Sequence, residues 1–404
     1  MKKPKNENKK MKTALLWLGV TFAVMLSLFI VLLILLNGTK DFIVRLVGTM
    51  PEEPLADIVS TTSPPQTTDP VITETEPKST SSPTTEIPAN TATKTETTAP
   101  INSLKHIDTT KRYNHSLLLE DINKAAALYP KLISVSTAGN SVNGRAIKLM
   151  KVGKGDKKAF ILGSIHAREI ITSKYLMLCI FEYCEAYNSK SGKYGSYNVK
   201  KLLDEYTLYI VPCANPDGME IVSNRKVPNA YIADFSRYDY KANTNGADLN
   251  RNFPLAWEQI ENGVTKPSNA AYKGAAAGSE PETKCVMSIC KNNEFEFALS
   301  FHITGECIFW GDTYDTSLNE NYRKFAKRLT DLTDFYLTPI SNDVNSYGGG
   351  FENWFRHEYK KPGLCVELVS YKYTSSPTDN TDYKNFSGTV NWGVSKYIIL
   401  EAIS

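Results

Sequence analysis

In the stretch GSIHAREI, residues 163–170, which directly follows the apolar run Ala159–Leu162, His166 stands three positions before Glu169. Imidazole nitrogen and carboxylate oxygen are donors that zinc accepts, and a catalytic zinc needs three protein ligands with a fourth position open for water. A histidine near an acid also arises by chance, so the pair asks for a third ligand. The chain has five histidines, at 106, 115, 166, 302 and 357. His106 and His115 fall at the start of the folded part, and His357 lies in the polar stretch FRHEYKK, where a solvated side chain is the ordinary state. His302, in FALSFHITGECIFWG, closes a strand-like run beside small residues and is the best-placed partner. On residue types alone, a plain core histidine stays equally open.

Elements must bring these side chains together. Strand-like runs at Ile147–Val152, Ala159–Ile165, Tyr206–Val211, Phe297–His302 and Leu364–Leu368 alternate with helix-like segments over 116–128, 170–187, 281–293, 318–335 and 383–401. That alternation predicts an α/β domain with a mainly parallel central sheet. His166 then ends a strand and Glu169 begins a helix, the place where α/β sheets usually bind ligands. There is no internal repeat.

Of 404 residues, 42% are hydrophobic, which suits one large domain with appendages. Residues 1–12 carry Lys2, Lys3, Lys5, Lys9, Lys10 and Lys12 against Glu7, a tip of net +5 in a chain of net +3, so nothing points to nucleic acid. Residues 13–39 hold no charge, and Ala14–Leu36 is long enough to span a hydrocarbon core about 30 Å thick. We read it as an uncleaved anchor rather than a signal peptide, because it exceeds the usual apolar core length and no small-residue cleavage site follows. The basic tip stays in the cytoplasm and the rest lies outside. Residues 40–103 form a Thr/Ser/Pro-rich stalk too poor in large apolar residues to bury a core. The domain itself is residues 104–404, expected to act as a monomer. Its seven cysteines, 179, 184, 213, 285, 290, 307 and 365, fall mostly in apolar stretches and are expected as buried free thiols.

The blocks FILGSIHAREI, IVPCANPDG, GADLNRNFPLAW, LSFHITG and CVEL, in this order over residues 110–400, resemble the zinc metallocarboxypeptidases of the carboxypeptidase A type. The resemblance implies a carboxypeptidase-like domain with a mixed, mainly parallel sheet flanked by helices, and one zinc ion held by His166, Glu169 and His302. It makes Glu367 the acid–base carboxylate, and Asn250 and Arg251 the pair that binds the substrate's free carboxylate. Arg168 matches a further substrate-contacting arginine. Lys241 stands where digestive members carry the oxyanion arginine, and a lysine is a point donor rather than a fork. The family's capping tyrosine falls on Asn345, with Tyr347 two residues on. Glu352, two before Trp354, falls at the bottom of the pocket for the residue after the scissile bond, where an acid would favour a side chain ending in an ammonium group; a loop shifted by one residue at Gly348–Gly350 would put Phe351 there and Glu352 in solvent.

The texture of HITGECIFWG and YGGGFENWF is similar to the bacterial branch that cuts γ-D-glutamyl bonds to diamino acids in cell-wall peptides. The expected function is therefore an anchored extracellular zinc peptidase acting on peptidoglycan stem peptides. The alternatives are a general metallocarboxypeptidase removing C-terminal, even basic, residues, and an inactive wall-binding module.

Overall fold

Runs rich in β-branched and aromatic residues pair into one eight-stranded sheet that carries the domain. The structure is a computed structural model and describes residues 106–109, 113–224, 239–370 and 389–404. The expected tip, anchor and stalk lie outside those residues. Among the described residues, no helix is long and apolar enough to cross a membrane.

Helix α1 (His115–Leu128) precedes strands β1 (Ile133–Asn140), β2 (Ala146–Gly153) and β3 (Lys157–Leu162). Helix α2 (Ile170–Asn188), a short hairpin of β4 (Lys193–Tyr194) and β5 (Tyr197–Asn198), α3 (Val199–Glu205), β6 (Tyr206–Val211) and α4 (Pro216–Asn224) follow. An irregular region with a 3₁₀ turn at Leu249–Arg251 leads to α5 (Pro281–Lys291), β7 (Phe297–His302), β8 (Cys307–Phe309) and α6 (Asn319–Thr333). Next come β9 (Tyr336–Leu337), α7 (Val344–Tyr347), α8 (Phe351–Tyr359), β10 (Gly363–Glu367), α9 (Trp392–Ser395) and α10 (Ile398–Ala402).

The strand order is β1-β2-β6-β3-β7-β10-β8-β9. The central strands β6, β3, β7 and β10 run parallel, while β1, β2 and β8 join antiparallel, so the sheet is mixed with a parallel centre. Alternate residues point to opposite faces. Ala159, Ile161, Leu299, Phe301 and Val366 meet α2 on one face. Phe160, Leu162, Tyr209 and Ala298 meet α5 and α8 on the other. Helix α2 is buried without a break from Ile170 to Phe181, as expected of a helix that is apolar nearly all round.

Three differences from the sequence expectation have local causes. β1 escaped notice because ISVSTAGN lies at the sheet edge, is largely polar and carries an irregularity between Thr137 and Gly139. β3 stops at Leu162 rather than Ile165 because Ser164 takes a left-handed conformation with φ 42°. The described part of the C-terminal helical segment is two short helices, parted at Lys396 and Tyr397.

Candidate active site

The turn after β3 shapes the first part of the site. The Ser164 N–H donates to Thr172 Oγ1 at 2.8 Å, and its hydroxyl donates to the Glu169 carbonyl at 3.0 Å, holding the left-handed residue in place. A side chain at Gly163 would stand 2.7 Å from both Leu176 Cδ1 and Pro212 O, so the chain can pass here only as glycine. The Ala167 and Arg168 N–H groups donate to the Lys241 and Tyr240 carbonyls at 3.1 and 3.0 Å. This folding turns His166 back on Glu169, which caps α2 but makes no side-chain bond to its own helix.

Three buried donors then converge: His166 Nδ1 lies 2.8 Å from Glu169 Oε1, His302 Nδ1 lies 3.0 Å from Glu169 Oε2, and the two Nδ1 atoms are 3.3 Å apart. His302 arrives as the last residue of β7. A tetrahedral zinc with ligands at about 2.0–2.1 Å sets neighbouring donors about 3.3 Å apart, so the triangle is close to the size needed. Glu169 Oε2, although near His302, is buried without an aligned hydrogen bond among the described residues. An oxygen left open between two facing imidazole nitrogens suits a cation, and the group has the composition of a metal site. Burial alone would raise the Glu169 pKa, but His166 and His302 outweigh it and hold the carboxyl below its usual range. His302 is the converse case: burial lowers its proton affinity and Glu169 more than restores it. Behind the two imidazoles, Asp248 Oδ1 stands 3.3 Å from His166 Nε2, and Glu352 Oε1 stands 3.0 Å from His302 Nε2.

The triangle opens into a cavity of about 200 Å³ lined by His166, His302, Lys241, Asn250, Arg251, Tyr347, Glu352 and Glu367. Glu367 ends β10 in parallel register beside His302. Its Oε1 accepts from the Cys365 thiol at 3.7 Å, while Oε2 is buried without a hydrogen-bond partner among the described residues. Burial pushes its pKa up to about 7, with Glu169 and Glu352 adding to the rise and His302 and Lys241 opposing it. The Lys241 N–H is fixed to Asn269 O at 2.7 Å, and its ammonium makes no hydrogen bond among the described residues. Asn250 and Arg251 lie in the 3₁₀ turn capped by Asp248, and Arg251 Nη1 donates to Asn250 O at 2.8 Å.

The glycine stretch sets the opposite wall. Gly349 has φ 65°, and a Cβ there would stand 2.2 Å from the Arg251 carbonyl, so only glycine lets this loop lie on the arginine's backbone. That contact fixes the register in which Glu352 lines the cavity and Phe351 packs against Phe160 and Phe253. Both Glu352 oxygens already have partners, since Oε2 lies 3.4 Å from Asn250 Nδ2. Tyr347 reaches the cavity, whereas Asn345 turns away to accept from the Glu261 N–H at 2.8 Å. Arg168 is not among the cavity's lining residues; its Nη1 lies 4.0 Å from Asp239 Oδ1. His106 stacks on Phe181, and His357 meets Tyr314 edge-on, both outside the cavity. All seven cysteines are free and buried, and Cys365 lines the cavity. Sequence reasoning missed Asp248 and Ser300. The first could have been found as an acid inside GADLNRNF, but nothing in FALSFH marks the second.

The sequence model for zinc carboxypeptidases matches residues 118–386. The chain is 30% identical over 273 residues to gamma-D-glutamyl-L-diamino acid endopeptidase 1 of Lysinibacillus sphaericus, covering 64% of this chain and 66% of that protein. It is 28% identical over 266 residues to carboxypeptidase B of Rattus norvegicus, covering 61% of this chain and 60% of that protein. The chain thus spans less than two thirds of the length of either relative. Among solved structures, bovine thrombin-activatable fibrinolysis inhibitor in complex with tick carboxypeptidase inhibitor aligns with a TM-score of 0.58 at 19% identity, covering 73% of this chain and 97% of that one. That likeness shows the shared fold.

Proposed function

The chain belongs to the zinc carboxypeptidase family, and from that premise we propose that it is a membrane-anchored, outward-facing peptidase that cuts the γ-D-glutamyl–diamino acid bond of peptidoglycan stem peptides. The observation that carries the reading is the convergence of His166, Glu169, His302, Glu367 and the Asn250–Arg251 pair on one cavity. The likeness to the Lysinibacillus endopeptidase supports the choice of bond. The apolar run Ala14–Leu36 behind a lysine-rich tip supports the anchor.

His166 Nδ1, Glu169 and His302 Nδ1 would hold one zinc ion, which when bound polarises the scissile carbonyl and acidifies water at neutral pH. Arg251 takes the free carboxylate beside the scissile bond, since its planar fork offers two parallel hydrogen bonds, and Asn250 adds an amide donor. Glu367 accepts a proton from the attacking water and returns it to the amide nitrogen as the C–N bond breaks. The water's oxygen ends on the acyl carbon and the transferred proton on the leaving amine. Lys241 sets its ammonium against the charge that develops on the carbonyl oxygen, and Tyr347 closes over the bound carboxylate.

Protease added to intact cells should free a soluble fragment near residues 104–404. Incubated with purified muropeptides, that fragment should split stem peptides between D-glutamate and the diamino acid, lose the activity to a chelator and regain it with zinc. Release of C-terminal residues from simple peptides, with stem peptides left whole, would make it a general metallocarboxypeptidase. A soluble product beginning near Asn37 would replace the anchor by a cleaved signal peptide.

A further inference from the structure

We propose that Glu352 is a positioning residue that fixes His302 and joins the carboxylate-anchoring Asn250 to the metal centre, and that it does not read the substrate's side chain. The Nδ1 atom of His302 faces Glu169 at 3.0 Å and His166 Nδ1 at 3.3 Å. A histidine that offers Nδ1 to a metal carries its proton on Nε2, and the partner of that N–H sets ring orientation and tautomer. Two acceptors lie within reach, Glu352 Oε1 and Ser300 Oγ, each at 3.0 Å. The carboxylate is the stronger, because a charge-assisted bond is roughly twice as strong as a neutral one.

The other Glu352 oxygen lies 3.4 Å from Asn250 Nδ2. The orientation of that amide is set by Asn250 Oδ1, which accepts from the Phe351 N–H at 2.7 Å. An amide nitrogen has two N–H groups. One is directed to Glu352 and the other is left for a substrate carboxylate. The Asn250 backbone N–H meanwhile donates to Asp248 Oδ1 at 3.1 Å, the same oxygen that stands behind His166. One asparagine therefore touches the acids behind both histidines, and a bound carboxylate is linked to the metal ligands through a single residue.

Glu352 is 3% exposed. A buried carboxylate needs partners, and this one has them without any ligand. It lies in the first turn of α8, where the helix macrodipole also favours negative charge. A substrate ammonium reaching Glu352 would have to displace His302 and loosen the metal centre, which is a poor basis for choosing a side chain.

The inference rests on the metal assignment above, and the test separates the two. Zinc affinity of the purified domain is measured by chelator competition for wild type, Glu352→Ala, Glu352→Gln and Ser300→Ala. We expect the Ala variant of Glu352 to weaken zinc about ten- to a hundredfold, the range typical of a lost metal-histidine partner. Gln can still accept from Nε2 and should recover most of the loss; Ser300→Ala should change little. With zinc saturating, Glu352→Gln should raise KM through Asn250, yet leave the ratio of kcat/KM for a diamino acid over leucine after the scissile bond unchanged. Wild-type zinc affinity in Glu352→Ala, a loss that follows Ser300→Ala instead, or a collapsed ratio in Glu352→Gln would overturn the proposal. Should Glu352→Ala fail to fold, zinc affinity and the ratio in Glu352→Gln decide it. A wild-type domain that takes no zinc would end the ligand assignment itself.

Discussion

The two walls of the cavity are built differently. His302 and Glu367 end the adjacent parallel strands β7 and β10 in register with each other, and His166 follows β3 after one tight turn. Lys241 comes instead from an irregular segment, Asn250 and Arg251 from a single 3₁₀ turn and Tyr347 from the one-turn helix α7, all held by backbone hydrogen bonds and by the close approach of Gly349. In-register strands in a close-packed core fix donor atoms tightly, and the candidate ligands His166, Glu169 and His302 are accordingly buried. Loop segments on such a scaffold can change without disturbing the sheet, so substrate recognition can vary while the bond-breaking chemistry stays. Substitutions at three positions, one on each wall and one behind the second, test that division.

Glu367→Gln should have the largest effect on turnover. The side chain is held by the register of β10, and its one hydrogen bond among the described residues is from the Cys365 thiol at 3.7 Å, so the near-isosteric amide should leave fold and zinc content unchanged. Activity should fall by about 10²- to 10⁴-fold, the usual contribution of a general base. Metal analysis beside a turnover assay checks this. Near-normal kcat would show that another group takes the proton.

The same division explains what the sequence disclosed. The buried strands β3, β6, β7 and β10 are continuous apolar runs, and the chemistry-bearing residues interrupt or end them, so His166, His302 and Glu367 stand out. Glu169 is legible because its three-residue spacing from His166 falls at a helix start. Edge strand β1 and the short β8 and β9 carry no such contrast. On the loop wall, residue types could be named but not placed. Arg168 and Arg251 are both arginines in matching blocks, yet only Arg251 lines the cavity. The position of Tyr347 depends on how the glycine stretch folds, and that follows from a left-handed Gly349 against the Arg251 carbonyl rather than from periodicity. The dual attachment of Glu352 is a tertiary fact, since its partners His302 and Asn250 lie 50 and 102 residues away.

Arg251→Ala tests the loop wall with a smaller loss. Removing charged hydrogen bonds worth roughly 1.5–3 kcal/mol should raise KM about ten- to a hundredfold. Zinc content should not move, because Arg251 touches none of the three ligands. Arg251→Lys should recover only part, having charge without the fork. If Arg251→Ala instead lowered kcat with KM unchanged, the arginine would belong with the catalytic wall.

The smallest effect lies behind the loop wall, where buried acids of the α5 entrance hold the segment that carries Lys241, Asn250 and Arg251. Glu282 accepts from the Val142 N–H at 3.1 Å and from Asn243 Nδ2 at 3.1 Å, and Glu280 accepts from Asn243 and Asn245 Nδ2, each at 2.8 Å. Burial pushes the Glu282 pKa from 4.5 up to about 7; its hydrogen bonds with the backbone and Asn243 pull the other way, and Asp217 adds to the rise. The folded domain thus keeps a proton that the unfolded chain releases near 4.5. Between these values the folded state binds more protons, so this group's contribution to stability is present below about 4.5 and is lost as pH rises through about 7. Glu282→Gln removes the titration while keeping an acceptor for Val142, although its amide sets one donor against Asn243. The stability of the variant relative to wild type should therefore rise by about 1–3 kcal/mol from pH 4.5 to pH 8, whatever constant cost the amide adds at both ends. Thermal unfolding across that range, with kcat unchanged, checks the sign. A difference that does not rise over that range would mean that Glu282 is held ionised by its donors, and that the loop wall hangs on a charge rather than on a buried neutral acid.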